Sequence, residues 1–344
     1  MIAVEPVQAR PREHVVAFDL LRSVAAVAVV VIHVVGPYRE RIGVIPNAEW
    51  AIAVAFNGLS RWSVPVFIMI TGALLLSDPR PFQLGHYVRR RVAKVLVPFL
   101  AWSVAYAVIA GASLEGFDAT VTAERLRALP IHETYYHLGF FYYFIPLYLL
   151  VPLLRPLVRR APPGIALAAV VVWLGLTTLY LAGERGFWSI DPVLFGGYLL
   201  FGWALWQRNF PPFALLVVAG VVALAIGVVM VVSRSLEAER YVIGAWFSYK
   251  SLHTAIAAGL VFALGLRLAS RLPPRLVRVF GFVGTHSLGI YLLHPLFLWP
   301  VRTFDLYGPH PLLVIPFWTV MCGGLALVAS VALRRLRVTA WLVP

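Results

Sequence analysis

The chain is poor in charge and has almost no cysteine. Of 344 residues only 13% are Asp, Glu, Lys or Arg and 61% are hydrophobic, against roughly 25% charged in an ordinary soluble domain. Most of the chain therefore does not face water. The lone Cys322 rules out an internal disulfide framework and a zinc site of the cysteine type, and its apolar neighbours make it a small buried hydrophobe. No P-loop, dinucleotide-binding glycine pattern, G-x-S-x-G elbow or H-E-x-x-H pair is present. No metal site is expected, and no repeat of fixed period or low-complexity tail is seen.

What is there is a series of apolar stretches close to the ~20 residues that cross a bilayer. They place helices at about 15 to 36, 55 to 77, 92 to 112, 137 to 156, 163 to 182, 191 to 207, 212 to 233, 251 to 270, 285 to 304 and 310 to 334. The expected fold is all-α, a polytopic membrane protein of about ten spans, forming one domain over 1–344 with cytoplasmic tails at 1–14 and 335–344. The first apolar segment carries Asp19 and Arg22 and lacks a convincing cleavage pattern, so it is expected to stay as a span. Proline pairs at 162–163, 211–212 and 273–274 punctuate the breaks, because proline cannot donate the bond that a continuing helix needs.

The net charge of +14 comes from 29 basic residues, 27 of them Arg. With a cytoplasmic N-terminus, 18 of these cations fall on the inner side and ten on the outer, Arg61 and Arg302 among the ten, while 11 of 15 carboxylates fall outside. That bias follows the positive-inside rule and makes membrane lipid, not nucleic acid, the partner of the basic loops.

The first helix carries two ionisable groups among small apolar neighbours, Arg22 and His33. Eleven residues apart, they share one face and are separated by roughly 16 Å. His33 is expected near mid-span, where a buried polar side chain is a functional candidate by default, and Asp19 is read as a structural partner of Arg22 at i+3. Arg89, Arg90, Arg91 and Lys94 open the third helix; on spacing alone they are a topology signal, although such a cluster also suits phosphates. In the ninth helix Ser287, Tyr291 and His294 fall at i, i+4 and i+7 and form a polar stripe. His137 reads most simply as part of an interfacial aromatic belt.

Taken together, FDLLR with His33, VPVFIMITGALL, RRRVAKVLVPFLAW, HLGFFYYFIPLYLLVPLLR and SLGIYLLHP make the chain resemble the acyltransferase-3 family, integral membrane O-acyltransferases of surface polysaccharides. The resemblance implies an acyl-coenzyme A co-substrate, acetyl-coenzyme A first among the candidates, and no permanently bound cofactor. It also implies a glycan or lipid-linked sugar acceptor at the other face of a bacterial inner membrane. Arg22 and His33 match the family motif needed for transfer, and the family's basic pair falls on Arg91 and Lys94, where Lys keeps the charge but loses the bidentate fork. Leu138-Gly139-Phe140 departs from the Trp-Phe that many relatives carry, and no soluble esterase-like domain follows the spans, so this is read as a stand-alone form.

On this reading His33 is a general base or a transient acyl carrier. Arg89, Arg90, Arg91 and Lys94 hold the donor phosphates, Arg22 guides the pantetheine arm, and Ser287, Tyr291, His294 and His137 line the chamber. The oligomeric state stays open, a homodimer included. The rival class is a transporter or flippase that uses the buried His and Arg as a substrate or proton path.

Overall fold

The computed structural model describes residues 11–160, 162–207 and 211–344. Arg10, Arg208 and most of the expected 1–14 tail lie outside the described residues. Thirteen helices carry the described chain: α1 Pro11–Val34, α2 Asn47–Ser60, α3 Ser63–Leu76, α4 Leu84–Ala110, α5 Ala119–Ala128, α6 Gly139–Arg160, α7 Pro163–Ala182, α8 Asp191–Trp206, α9 Phe213–Glu237, α10 Leu252–Leu268, α11 Pro274–Thr285, α12 Ser287–Thr303 and α13 Pro311–Arg335. The only sheet among the described residues is a ribbon of β1 Ala112–Ser113 against β2 Gly116–Phe117. Helix ends follow their local chemistry. Asp118 caps α5 by accepting from the Thr120 amide at 2.7 Å, and Gly183, at φ 99°, closes α7 in the left-handed conformation that a Cβ disfavours.

Among the described residues eight helical stretches are long and apolar enough to cross a membrane alone, and the count is nine if the pair α11 and α12, bent by 67°, makes one crossing. The protein is an all-α polytopic membrane protein. Of the ten expected spans, α8, with 16 residues, is not among the stretches long enough to cross alone. It nevertheless joins the two faces: Asp191 at its start pairs with Lys250, and Gln207 just past its end donates to Ser77 at 3.2 Å. α8 is also the axis of the packing. Side chains at Gly72 and Gly202 would drive into the backbones of Leu199 and Met69, so α3 and α8 touch main chain to main chain through their glycines.

Three boundaries differ from the sequence reading. The second span begins at Asn47, not near 55, and is interrupted at Arg61 and Trp62. The third begins at Leu84, because a π-helical segment, Val88–Val92, carries Arg89 to Arg91 into it. Residues 274–285, expected as loop, form α11. Pro274 suits a first helical position, where its missing amide costs no bond, and α11 lies across α1. There Ser23 Oγ is 2.9 Å from the Phe280 carbonyl, and a Cβ on Gly284 would meet the Asp19 backbone at 2.7 Å. Past α13 the chain folds back onto the bundle: the Trp102 indole donates to the Leu342 carbonyl at 3.0 Å and Val343 is buried.

Candidate active site

α1 and α12 meet at two histidines that are 261 residues apart in sequence. His33 Nδ1 lies 2.6 Å from His294 Nε2, with the rings in planes 2° apart and their centroids at 4.8 Å. The other nitrogen of His294, Nδ1, is 3.0 Å from the Ile290 carbonyl. His33 is half-buried, whereas His294 is fully buried. A separation of 2.6 Å is a hydrogen bond; two ligands on one zinc, each at 2.0–2.1 Å, would stand roughly 3.3 Å apart. Among the described residues no group of metal-binding side chains is found.

His33, expected near mid-span, lies toward one end of α1. It occupies the last turn of α1, past the middle of the apolar stretch Val16–Glu40. What covers it is the segment before α6, which dips into the bundle. The Tyr136 ring stands edge-on to His33 at 5.1 Å, and His137 lies 6.4 Å from His33 and 5.9 Å from His294. His137 is thus packed inside the bundle and not in an interfacial belt, with Tyr106 edge-on at 4.7 Å. Its ring nitrogens are sealed from solvent and make no well-formed hydrogen bond. Tyr291 donates its hydroxyl to the His137 carbonyl, so the two residues brace each other. Ser287 is buried two turns before His294, about 10 Å along the helix, and is not brought to the histidine pair.

Arg302 completes this corner. Its Nη2 donates to the His33 carbonyl at 2.6 Å, its guanidinium lies 4.5 Å over the Tyr136 ring, and its Nε is sealed without a partner. Counted by sequence as a loop cation, it stands eleven residues after Tyr291 on the same helix, the spacing that links Arg22 to His33, and that spacing is the signal that could have found it. Arg61 was counted the same way and is also internal. Only 8% exposed, it bonds Asn57 at 2.7 Å, packs between the Phe247 and Tyr249 rings and has no ion pair among the described residues.

Two cavities open toward opposite ends of the bundle. On the side of the α5 loop, a vestibule of about 440 Å³ is lined by Arg125, Glu133, Thr134, Tyr135, Tyr136 and Trp299 with small apolar neighbours. Tyr136 is its floor and the wall it shares with His33. On the Arg-rich face, a cavity of about 280 Å³ is lined by Asp78, Arg80, His86, Tyr87, Arg91 and Arg155. Arg155 is committed to the carbonyls of Asp78 and Arg80 at 2.8 and 2.7 Å. The Arg80 hydrogen bond holds the Asp78 carboxyl down at about 2. All four cations expected at the donor site are exposed, and of them only Arg91 lines the cavity.

Between the cavities runs a ladder of rings. Tyr291 meets Phe140 at 5.7 Å, Phe140 meets Phe144 at 4.6 Å, and Phe144 meets Tyr148 at 5.3 Å. Residues 140, 144 and 148 recur every fourth position and so share one face of α6. At its far end Tyr148 is within electrostatic reach of Arg22 and Arg91. Arg22 pairs with Asp19 at 3.6 Å, the expected structural pair. The site thus joins a hydrogen-bonded histidine pair near one end to a cationic mouth at the other through an apolar wall.

A family model described as an acyltransferase domain matches residues 15–335, nearly the whole chain. No curated protein and no solved structure matches it.

Proposed function

This chain belongs to the acyltransferase-3 family and is a multi-pass membrane acyltransferase, and from that premise we propose that it acylates glycans across a bacterial inner membrane. The donor is acyl-coenzyme A, acetyl first, at the Arg-rich mouth. The acceptor is a hydroxyl of a surface polysaccharide or lipid-linked sugar in the vestibule. One observation carries this reading: His33 touches the vestibule floor through Tyr136, while its own helix runs three turns, about 16 Å, to Arg22 beside the Arg91 cavity. An arm that enters at the cationic mouth has to travel that far, which explains why the two motif residues stand apart.

In the transfer step the acceptor hydroxyl gives its proton to His33 as its oxygen bonds to the thioester carbonyl carbon. The carbon–sulfur bond then breaks, and the proton leaves with coenzyme A as the thiol. A transient acyl group on His33 would divide the same change into two steps. Arg302 places positive charge beside the place where the oxyanion forms. The ring ladder along α6 keeps water from the thioester on its way, and Arg91, aided by Arg80, takes the donor phosphates.

The test uses purified full-length protein in detergent, acetyl-coenzyme A and a glycan acceptor. His33→Ala is expected to abolish ester formation and Arg22→Ala to reduce it strongly; wild-type turnover by His33→Ala removes the proposal. A transporter would move labelled sugar into proteoliposomes and leave the thioester intact, so thioester consumption separates the two classes.

A further inference from the structure

We infer that His294 is a positioning residue that fixes the tautomer of His33, holding its proton on Nδ1 and leaving the Nε2 lone pair free. The inference starts from a carbonyl. Ile290 O can only accept, so at 3.0 Å the Nδ1 of His294 must carry a hydrogen. The Tyr291 carbonyl also faces this ring, and it lacks its helical donor because Pro295 has no N–H. The dipeptide His294-Pro295 therefore frees a backbone acceptor and supplies the ring that uses it.

A neutral imidazole carries one N–H, so Nε2 of His294 holds a lone pair. It points at His33 Nδ1 across 2.6 Å in a nearly common plane. That bond exists only if His33 Nδ1 brings the hydrogen, and the remaining nitrogen, Nε2, is then the basic one. Which ring nitrogen of a histidine is protonated is set by the bond that the other makes. His33 Nε2 makes no hydrogen bond to another described residue. The groups facing this ring are His294 and Arg302 from α12, Tyr136 and His137 from the segment before α6, and Arg39 beyond α1. None of these but His294 bonds its Nδ1. The inference rests on the proposed function only for the use of the lone pair, since the tautomer follows from the bonds alone.

The experiment is nitrogen NMR of the full chain labelled with 15N-histidine in lipid bilayers, His33 being identified by the signal lost in His33→Asn. Wild type is expected to show His33 protonated at Nδ1 and bare at Nε2. In His294→Phe, which keeps the ring volume and loses the acceptor, His33 is expected to move to the Nε2–H form, and kcat to fall on the order of 100-fold with little change in donor KM. His294→Gln, whose amide oxygen accepts near the former Nε2, is expected to keep the Nδ1–H form and restore activity to within about tenfold of wild type. A wild-type His33 protonated at Nε2, or an unchanged tautomer in a folded His294→Phe, overturns the inference. If His294→Phe does not fold, the wild-type spectrum decides alone. Full activity in His33→Ala would remove the acyl-transfer reading and leave the tautomer result standing.

Discussion

Arg302 Nη2 donates to the backbone carbonyl of His33 at 2.6 Å, tying the end of α12 to the last turn of α1. The same guanidinium lies over the ring that floors the vestibule, so one side chain joins His33, the vestibule and the helix that carries His294.

Removing that tie is expected to slow transfer more than it unfolds the protein. A hydrogen bond to a charged group contributes about 1.5–3 kcal/mol, so Arg302→Met is expected to lower kcat/KM roughly 10- to 100-fold. Arg302→Lys restores the charge without the planar stack and recovers only part of it. Steady-state rates at saturating donor check this, and wild-type turnover in Arg302→Met contradicts it.

The cations at the Arg-rich mouth are expected to be unequal. Arg91 lines the cavity, whereas Arg89 and Arg90 do not. Arg91→Ala is expected to raise the KM for acyl-coenzyme A about tenfold or more, through a lost charge-assisted bond. Arg89→Ala and Arg90→Ala are expected to change it less than about twofold. Equal effects at all three positions would return the cluster to a diffuse topology signal.

The crossing of α3 with α8 leaves no room for a methyl group. Gly72→Ala and Gly202→Ala each set a Cβ against backbone, which cannot yield as a side chain can, so each is expected to destabilise by at least the ~1–3 kcal/mol of ordinary overpacking. Gly175→Ala, with nothing within 4 Å, is the control. Thermal unfolding in detergent ranks the three, and an unshifted midpoint for Gly72→Ala would mean that the helices stand further apart.

Asp78 gives the mouth an acid-sensitive clasp. Its carboxyl is held at about 2 by the Arg80 hydrogen bond, from an ordinary 3.8. Because the folded value is the lower one, its stabilisation is fully present above about 3.8 and is lost as the pH falls through about 2. Asp78→Asn is expected to unfold at lower temperature than wild type at neutral pH, with the gap closing between about 4 and 2. A gap independent of pH would assign the effect to something other than the charge.

Much of this is legible in the amino-acid sequence. Apolar runs of span length are hard to place anywhere but in lipid, so most crossings were found, and the short α8 was found because its residues are almost wholly apolar. α11 was missed because an amphipathic helix of 12 residues between a proline pair and a bend offers too few turns to establish a period. The start of α2 was missed because Asn47 and Glu49 look like loop. In the site, Arg22, His33 and His294 stood out as polar groups within apolar helices. Arg302 and Arg61 did not, since a cation near the end of a span reads as a topology signal, and only tertiary structure shows that these two turn inward. Nor does spacing within one helix reveal a bond across 261 residues. The expected donor cluster was too broad for a related reason: consecutive residues of a helix point in different directions, and of Arg89 to Arg91 only Arg91 lines the cavity.

The two cavities share no lining residue, and the rings stacked along α6 stand between them. If the proposed transfer holds, an enzyme built this way would hand a small group from one compartment to another without opening a water-filled passage. A cell that stores energy as an ion gradient over the same lipid layer would then decorate its exterior without discharging it.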